Sequence, residues 1–282
     1  MSPIVHLESL SELGQRYSMV ACDVWGVVHN GVRPYEDAVA ALAAFRAGGG
    51  TVLLLTNAPR PNTATIEHLD QIGVDHDAYD GVVTSGDVTL DMLAELNGAP
   101  IYFIGDQTRD HPLVSSAALN LTGPEEAEHI LCTGLFNDNE ETPDDYRERL
   151  GELAKRGLRM ICANPDIVVD KGDQRLYCAG SLARLYEQLG GHAVYAGKPY
   201  APVYEMTLKR FSALSGAPAK PEEILVIGDG INTDIKGALG AGWDVLFIAG
   251  GIHAAEAEHP DGLAGLFAGL PGLPVAWQQR LK

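Results

Sequence analysis

The chain has 282 residues, of which 46% are hydrophobic and 21% charged, with 32 glycines and 16 prolines. This composition is ordinary for a globular protein and excludes intrinsic disorder, a collagen-like chain and a small disulfide scaffold. The formal net charge of −18 disfavours nucleic acid and anionic membrane surfaces as partners, because no Lys/Arg cluster is longer than two residues.

Short apolar runs alternate with helical patterns along the chain. The runs predict strands at 17–24, 51–55, 81–84, 101–104, 129–132, 159–162, 193–195, 224–227 and 245–248. Helices are predicted at 35–47, 62–72, 88–96, 143–156, 176–189, 201–215 and 233–241. The runs are nearly continuous, which is typical of strands buried on both faces in a parallel sheet. The pattern predicts a doubly wound, Rossmann-like α/β fold.

Neither the N-terminal segment nor the cysteines indicate an exported or membrane protein. Residues 1–13 lack the basic and apolar regions of a signal peptide, and no apolar run reaches the roughly 18 residues of a membrane span. Cys22, Cys132 and Cys162 lie in apolar runs, which favours buried free thiols over disulfides. We therefore expect a cytoplasmic protein.

Chemically active side chains follow four of the predicted strands. They are Asp23, the Thr56-Asn57 pair, Lys198, and the aspartates Asp229 and Asp234 of a Gly-rich turn. In doubly wound sheets ligands bind at the carboxyl ends of the strands, where these residues would lie. Carboxylates on a tight loop suit Mg²⁺, which also relieves their mutual repulsion. With a fixed cation and neutral donors nearby, the set suits phosphoryl transfer.

These motifs, in this order, resemble those of the haloacid dehalogenase superfamily of hydrolases. The matching segments are the hhhDxxG pattern at Asp23, hhhTN at Thr56, the motif lysine Lys198 and GDGxxTD at 228–234. The segments 197–199 (Gly-Lys-Pro) and 164–166 (Asn-Pro-Asp) look like the class IIA subgroup. That subgroup includes sugar-phosphate, nucleotide and pyridoxal-phosphate phosphatases.

The resemblance implies a role for each motif residue. Asp23 would be the nucleophile and a Mg²⁺ ligand, Thr56 and Asn57 would bind the transferring phosphoryl group, and Lys198 would balance charge. The further metal ligands implied are Asp229, Asp234 and the backbone carbonyl of Trp25. The implied activity is Mg²⁺-dependent hydrolysis of a small phosphorylated metabolite through an aspartyl-phosphate.

The resemblance also implies an inserted cap domain. The interval between Asp23 and Thr56 is too short for a sizeable cap, whereas the interval between Asn57 and Lys198 is half the chain. We predict a catalytic core of 1–85 and 192–282, with a C2-type α/β cap at 86–191. Candidate substrate contacts near or in the cap are Arg60, Asn164, Asp166, Asp173 and Arg175. The acidic turn 105–110 is expected to be a loop of the cap. The sequence does not decide the oligomeric state, and a homodimer is possible.

One position departs from the family pattern. Family phosphatases carry an aspartate two residues after the nucleophile as general acid, and this chain has Trp25 there. Loss of that group predicts slow turnover of alkyl phosphates, unless His29 or an acid of the cap substitutes. The Trp25 ring could line the pocket and stack on a substrate ring, or simply pack under the cap. Two other functions stay open, a metal-independent dehalogenase-type hydrolase and a weakly active phosphate-ester-binding protein.

Overall fold

A computed structural model describes residues 4–171, 174–258 and 262–282. These ranges contain thirteen strands: β1 (Val5–His6), β2 (Met19–Asp23), β3 (Thr51–Thr56), β4 (Gly81–Thr84), β5 (Ile101–Ile104), β6 (His129–Cys132), β7 (Arg159–Cys162), β8 (Val168–Lys171), β9 (Gln174–Tyr177), β10 (His192–Tyr195), β11 (Ile224–Gly228), β12 (Asp244–Ile248) and β13 (Ala276–Gln278). The same ranges contain ten α-helices: α1 (Glu36–Ala47), α2 (Asn62–Ile72), α3 (Ser85–Ala94), α4 (His111–Ser116), α5 (Arg147–Lys155), α6 (Ala179–Gln188), α7 (Ala201–Ser215), α8 (Lys236–Gly240), α9 (Ala254–Ala257) and α10 (Gly262–Leu266).

The chain divides into two units. Unit 1 comprises the residues through Thr56, together with Ile66–Val83 and Tyr204–Lys282. Unit 2 comprises Asn57–Thr65 and Thr84–Val203. Unit 2 is thus inserted into the sequence of unit 1, and each unit contains a parallel sheet of its own.

The sheet of unit 1 has the strand order β1-β13-β12-β11-β2-β3-β4. Every pair whose register is described is parallel, as in β2 against both β3 and β11. All five residues of β2 and all five of β11 are buried, which explains their continuous apolar runs. Because β2 and β11 are neighbours, the residues that end these two strands lie side by side at one edge of the sheet.

The sheet of unit 2 is also parallel, with the order β10-β7-β6-β5. Alternate side chains fill two separate cores on its two faces. Ile130 and Met160 belong to one core, and Leu131 and Ile161 belong to the other. A two-stranded antiparallel ribbon, β8 with β9, completes the unit. The predicted fold class, a doubly wound parallel sheet with an inserted α/β unit, is confirmed.

The structure corrects the predicted boundaries of the insertion. We expected 86–191, but β10 pairs in register with β7, so the segment 192–203 belongs to unit 2. Residues 57–65 belong to unit 2 as well. The helix predicted at 176–189 begins at Ala179, because the residues before it form β9. Local periodicity cannot tell which of two parallel sheets a buried strand joins.

All four cysteines are buried free thiols, which confirms the prediction for Cys22, Cys132 and Cys162. Burial raises the pKa of the Cys132 thiol to about 12, so this thiol stays protonated and unreactive at neutral pH. Among the described residues, no helix combines the length and apolarity that a bilayer span requires.

Candidate functional site

Three carboxylates converge at the carboxyl edge of the unit 1 sheet. Asp23 is the last residue of β2, Asp229 follows β11, and Asp234 lies in the π-helical turn Ile231–Ile235. One oxygen from each lies within 4.8 Å of the others. The exposed fractions of the three residues are 8%, 5% and 2%. Neighbouring strand ends and one tight turn therefore bring together acids that are far apart in sequence.

Backbone amides fix two of these carboxylates. Oδ2 of Asp229 accepts a hydrogen bond of 2.8 Å from the N–H of Ile252. Oδ2 of Asp234 accepts one of 3.1 Å from the N–H of Gly230, and the Thr233 hydroxyl donates to the same oxygen at 3.3 Å. These bonds hold the two side chains in one orientation, so the site is preorganised.

The donor set fits a divalent cation. At an effective dielectric constant of about 20, two unit charges 4.8 Å apart repel by about 3–4 kcal/mol, and three buried carboxylates form three such pairs. Carboxylate oxygens are the ligands that Mg²⁺ prefers. Two glycines leave room for Asp229, because a Cβ atom at either Gly26 or Gly251 would overlap its Oδ2. The chemistry of the donors and this cradle both suit Mg²⁺.

We expect Gly251→Ala to weaken divalent-cation binding about tenfold or more, because the added methyl group displaces the Asp229 carboxylate. Titration of Mg²⁺ by calorimetry measures the effect. Gly151→Ala in α5 is the matched control, since a methyl group there meets nothing within 4 Å. Equal Mg²⁺ affinity in the two variants would contradict the proposal that Gly251 leaves space for a metal-binding Asp229 carboxylate.

Trp25 lies in the loop after β2. Its side chain is 40% exposed, and its ring contacts His29 edge-to-face with a centroid separation of 5.4 Å. His29 in turn contacts His68 of α2 edge-to-face at 6.0 Å. The sequence left open whether this ring packs against the protein or lines a pocket. Within unit 1 the ring packs against His29 and is also partly exposed to solvent.

The structure argues against His29 as a substitute general acid. The side chain is only 3% exposed, and its Nδ1 accepts a hydrogen bond of 2.8 Å from the N–H of Gly31. Burial, reinforced by the charge of His68, lowers the pKa of His29 to about 4. The ring is therefore neutral at physiological pH, and its protonated form is scarce.

The low pKa of His29 makes the stability of the fold depend on pH. Between the unfolded pKa of about 6.5 and the folded pKa of about 4, only the unfolded chain takes up this proton, so stability falls as the pH falls. From pH 7.5 to 5.0 we expect the wild type to lose about 2 kcal/mol more than His29→Gln in urea unfolding. The exposed His111→Gln should keep the wild-type dependence. Equal slopes for wild type and His29→Gln would refute this assignment.

In unit 2 the side chain of Asn57 holds the backbone of Lys198. Oδ1 of Asn57 accepts from the Lys198 N–H at 2.7 Å, and Nδ2 donates to the Lys198 carbonyl at 3.1 Å. Nδ2 also donates to Oδ1 of Asp166 at 2.9 Å. The sequence analysis expected this amide to bind a phosphoryl group. In the structure one N–H donation of this amide goes to the Lys198 carbonyl and the other to Asp166, and Lys198 is itself 3% exposed.

Two further residues complete this cluster: Gly197, which the sequence offered only as part of a motif, and Ser85, which was not predicted as a site residue. A Cβ atom at Gly197 would overlap Oδ1 of Asn57, so the glycine before Lys198 makes the clamp possible. Ser85, fully buried at the start of α3, donates to the carbonyl of Asn57 at 2.8 Å. The sequence feature that could have indicated Ser85 is the Thr-Ser pair at 84–85, at the end of a predicted strand.

Of the remaining predicted residues, Asn164 and Arg60 have local partners within unit 2. Oδ1 of Asn164 accepts from the N–H of Asp166 at 3.1 Å, which forms a tight turn after β7. The carbonyl of Arg60 accepts from the Thr84 hydroxyl at 2.6 Å. Arg175 lies exposed in β9, and Asp173 lies outside the described residues. Thr56, the last residue of β3, is half-buried and belongs to unit 1.

The acidic turn 105–110 is a structural loop of unit 2, as predicted. Arg109 forms two hydrogen bonds of 2.9 Å with the fully buried Asp110 and an ion pair with Asp138. The Thr133 hydroxyl donates to the second oxygen of Asp110 at 2.6 Å. These contacts engage Asp110 with a guanidinium and a hydroxyl, and Asp106 accepts the backbone N–H groups of Thr108 and Arg109.

Comparison with known proteins identifies the family. Residues 20–117 match a family model described as haloacid dehalogenase-like hydrolase, and residues 195–268 match one described as HAD-hydrolase-like. A crystal structure of a haloacid dehalogenase-like hydrolase from Brucella suis 1330 is 44% identical, with a TM-score of 0.87. The match covers 98% of this chain and 100% of that one. The chain belongs to the haloacid dehalogenase-like hydrolase family.

Two other proteins to which the chain is similar are more distant. The ribonucleotide monophosphatase NagD of Escherichia coli K12 is 26% identical over 240 residues, covering 84% of this chain and 89% of that protein. The 5'-nucleotidase YutF of Bacillus subtilis is 25% identical over 243 residues, covering 85% and 90%. The haloacid dehalogenase-like family of hydrolases, predicted from the motifs, is confirmed.

Proposed function

We propose that this haloacid dehalogenase-like hydrolase is a Mg²⁺-dependent phosphatase that hydrolyses a small phosphomonoester through a phosphoryl group carried on Asp23. The observation that carries the proposal is the convergence of the Asp23, Asp229 and Asp234 carboxylates within 4.8 Å in a buried site. The names of the relatives NagD and YutF, a monophosphatase and a nucleotidase, support the phosphoester class.

In the proposed reaction the carboxylate of Asp23 attacks phosphorus. The ester P–O bond breaks, and its electron pair leaves with the alcohol oxygen. Water then attacks the phosphorus of the aspartyl-phosphate, releasing inorganic phosphate and restoring the carboxylate, and the water proton passes to solvent. The three carboxylates and the Trp25 carbonyl would hold Mg²⁺, which would offset their repulsion and the charge of the phosphoryl oxygens.

The remaining motif residues have proposed roles around the same reaction. Thr56 donates its hydroxyl to the phosphoryl oxygens, and Lys198 balances charge on the nucleophile and the phosphoryl group. Asn57 acts on Lys198 by fixing its backbone through two hydrogen bonds, and a third bond ties the same amide to Asp166. Arg60, Asn164 and Asp166 stay candidates for substrate selection, and the substrate is a small metabolite, not a nucleic acid.

The direct test is hydrolysis of 4-nitrophenyl phosphate in Mg²⁺ and in EDTA, followed by incubation with 2-haloacids. The proposal expects phosphate release that requires Mg²⁺. Halide release that persists in EDTA would instead establish a dehalogenase-type hydrolase. Tight binding of phosphate esters without turnover would establish a binding protein, and either result would refute the phosphatase.

A further inference from the structure

The loop after Asp23 exposes an aromatic ring two residues along the chain from the proposed nucleophile. Residues 24–31 read Val-Trp-Gly-Val-Val-His-Asn-Gly, so His29 is the loop's one titratable side chain. His29 is buried, and its Nδ1 already accepts the Gly31 N–H. Val24, Val27 and Val28 are buried too. Trp25, at 40% exposed, is therefore the large apolar side chain that residues 24–31 leave accessible, two residues after Asp23.

The Trp25 ring is built into place. Gly31 has a φ of +83°, and a Cβ atom there would overlap the six-membered ring of Trp25, so the glycine provides the seat for that ring. Below the ring, His29 and then His68 stack edge-to-face. Two backbone hydrogen bonds of 2.9 Å, from Gly26 N–H to the His29 carbonyl and from Val28 N–H to the Val24 carbonyl, close the loop. Packing against His29 and Gly31 fixes the ring, but it does not explain why a large apolar side chain remains 40% exposed.

An indole ring can stack on a leaving group and orient it, but it cannot protonate the leaving oxygen. Its ring offers a flat apolar face on which another ring stacks, and it holds that ring in one orientation. Its N–H is a hydrogen-bond donor but does not release a proton to an oxyanion. When the ester P–O bond breaks, the leaving oxygen therefore receives no proton from this loop and departs with the electron pair and a negative charge.

We propose that Trp25 determines substrate specificity, selecting phosphate esters in which the ester oxygen is attached directly to an aromatic ring. Such an oxygen is stable as an anion because the ring delocalises its charge, and the same ring stacks on the indole. Phosphates of simple aliphatic alcohols, such as ethyl phosphate, lack both features. This inference rests on the proposed phosphatase function and deepens it, since it names the class of leaving group.

Four substrates separate the two parts of the proposal. 4-Nitrophenyl phosphate has a ring and an acidic leaving oxygen, and benzyl phosphate has a ring but an alkyl leaving oxygen. Acetyl phosphate has an acidic leaving oxygen without a ring, and ethyl phosphate has neither. For the wild type we expect kcat/KM on 4-nitrophenyl phosphate to exceed that on ethyl phosphate at least about 100-fold, the lower range of general-acid help. The two mixed substrates should lie between them.

Variants of Trp25 assign these differences to the ring. Trp25→Leu should raise KM about two- to tenfold for 4-nitrophenyl phosphate and benzyl phosphate and leave KM for acetyl phosphate unchanged. Trp25→Asp supplies a proton donor and should raise kcat/KM for benzyl and ethyl phosphate at least about tenfold without a rise for 4-nitrophenyl phosphate. Trp277→Leu, at a half-buried tryptophan of β13 that stacks on His6, is the matched control and should keep the wild-type pattern.

The outcomes distinguish this inference from the proposed function. If the wild type hydrolyses ethyl phosphate within tenfold of 4-nitrophenyl phosphate, the leaving-group selection is wrong while the phosphatase stands. If Trp25→Leu changes KM for acetyl phosphate as much as for the ring substrates, the ring does not stack. Absence of Mg²⁺-dependent turnover on all four substrates would overturn both. The wild-type comparison needs no variant, so poor folding of a Trp25 variant leaves the proposal testable.

Discussion

Asp23→Asn is expected to abolish phosphate release, with kcat reduced by about 10⁴-fold or more, because an amide oxygen is not a competent nucleophile toward phosphorus. The side chain keeps its size in a position that is only 8% exposed, so the fold should be retained. Hydrolysis of 4-nitrophenyl phosphate measures the loss. Intact mass after acid quenching should show a phosphorylated species in the wild type and none in the variant.

The matched control for this substitution is Asp91→Asn, at an exposed aspartate of α3. It removes the same charge at a residue that is not a member of the cluster and should leave kcat within about twofold of wild type. Turnover by Asp23→Asn at more than about one hundredth of the wild-type rate would contradict a nucleophilic role. In that case the carboxylate would act only through the charge it contributes.

Asp229→Asn is expected to remove the response of the protein to Mg²⁺. In the wild type, Mg²⁺ at 100 times its Kd should stabilise the folded state by about 2.7 kcal/mol. Residues that merely support a metal ligand cost about 10–100-fold in affinity when mutated, and a direct ligand should cost at least as much. Melting temperature with and without Mg²⁺, together with calorimetric titration, measures this without any assay of activity.

The electrostatic argument makes a second, opposite prediction for the same variant. In EDTA, Asp229→Asn should be at least as stable as the wild type, because one of three mutually repelling buried charges is gone. Asp106→Asn is the matched control, since Asp106 also follows a glycine after an apolar strand but is not in the cluster. A Mg²⁺-induced rise in melting temperature that survives in Asp229→Asn would remove Asp229 from the metal site.

The sequence predicted the acidic cluster because two simple rules sufficed. Continuous apolar runs mark buried parallel strands, and the residues after such strands meet at one edge of the sheet. Asp23 and Asp229 follow neighbouring strands, so the rules placed them together without further knowledge. The predicted alternation of strands and helices was correct for the same reason, since it depends on short-range periodicity.

The clamp of Asn57 on Lys198 could not be predicted in this way. It joins residues 141 positions apart, and nothing in the local pattern of either segment encodes the pairing. The strand β10 is a related case, because its apolar run fits either sheet and only its register with β7 decides. Ile252 was missed because it binds Asp229 through its backbone N–H, which any residue other than proline carries.

The Asn57 clamp has a consequence for how this protein can change over evolutionary time. Oδ1 of Asn57 occupies the space that any side chain at Gly197 would need. Neither position can therefore change alone, because a larger residue at 197 requires a smaller one at 57. An intermediate with only one of the two changes would lose the hydrogen bonds that hold the Lys198 backbone. We expect the two positions to show strong epistasis, so that natural variants exchange both residues together or keep both.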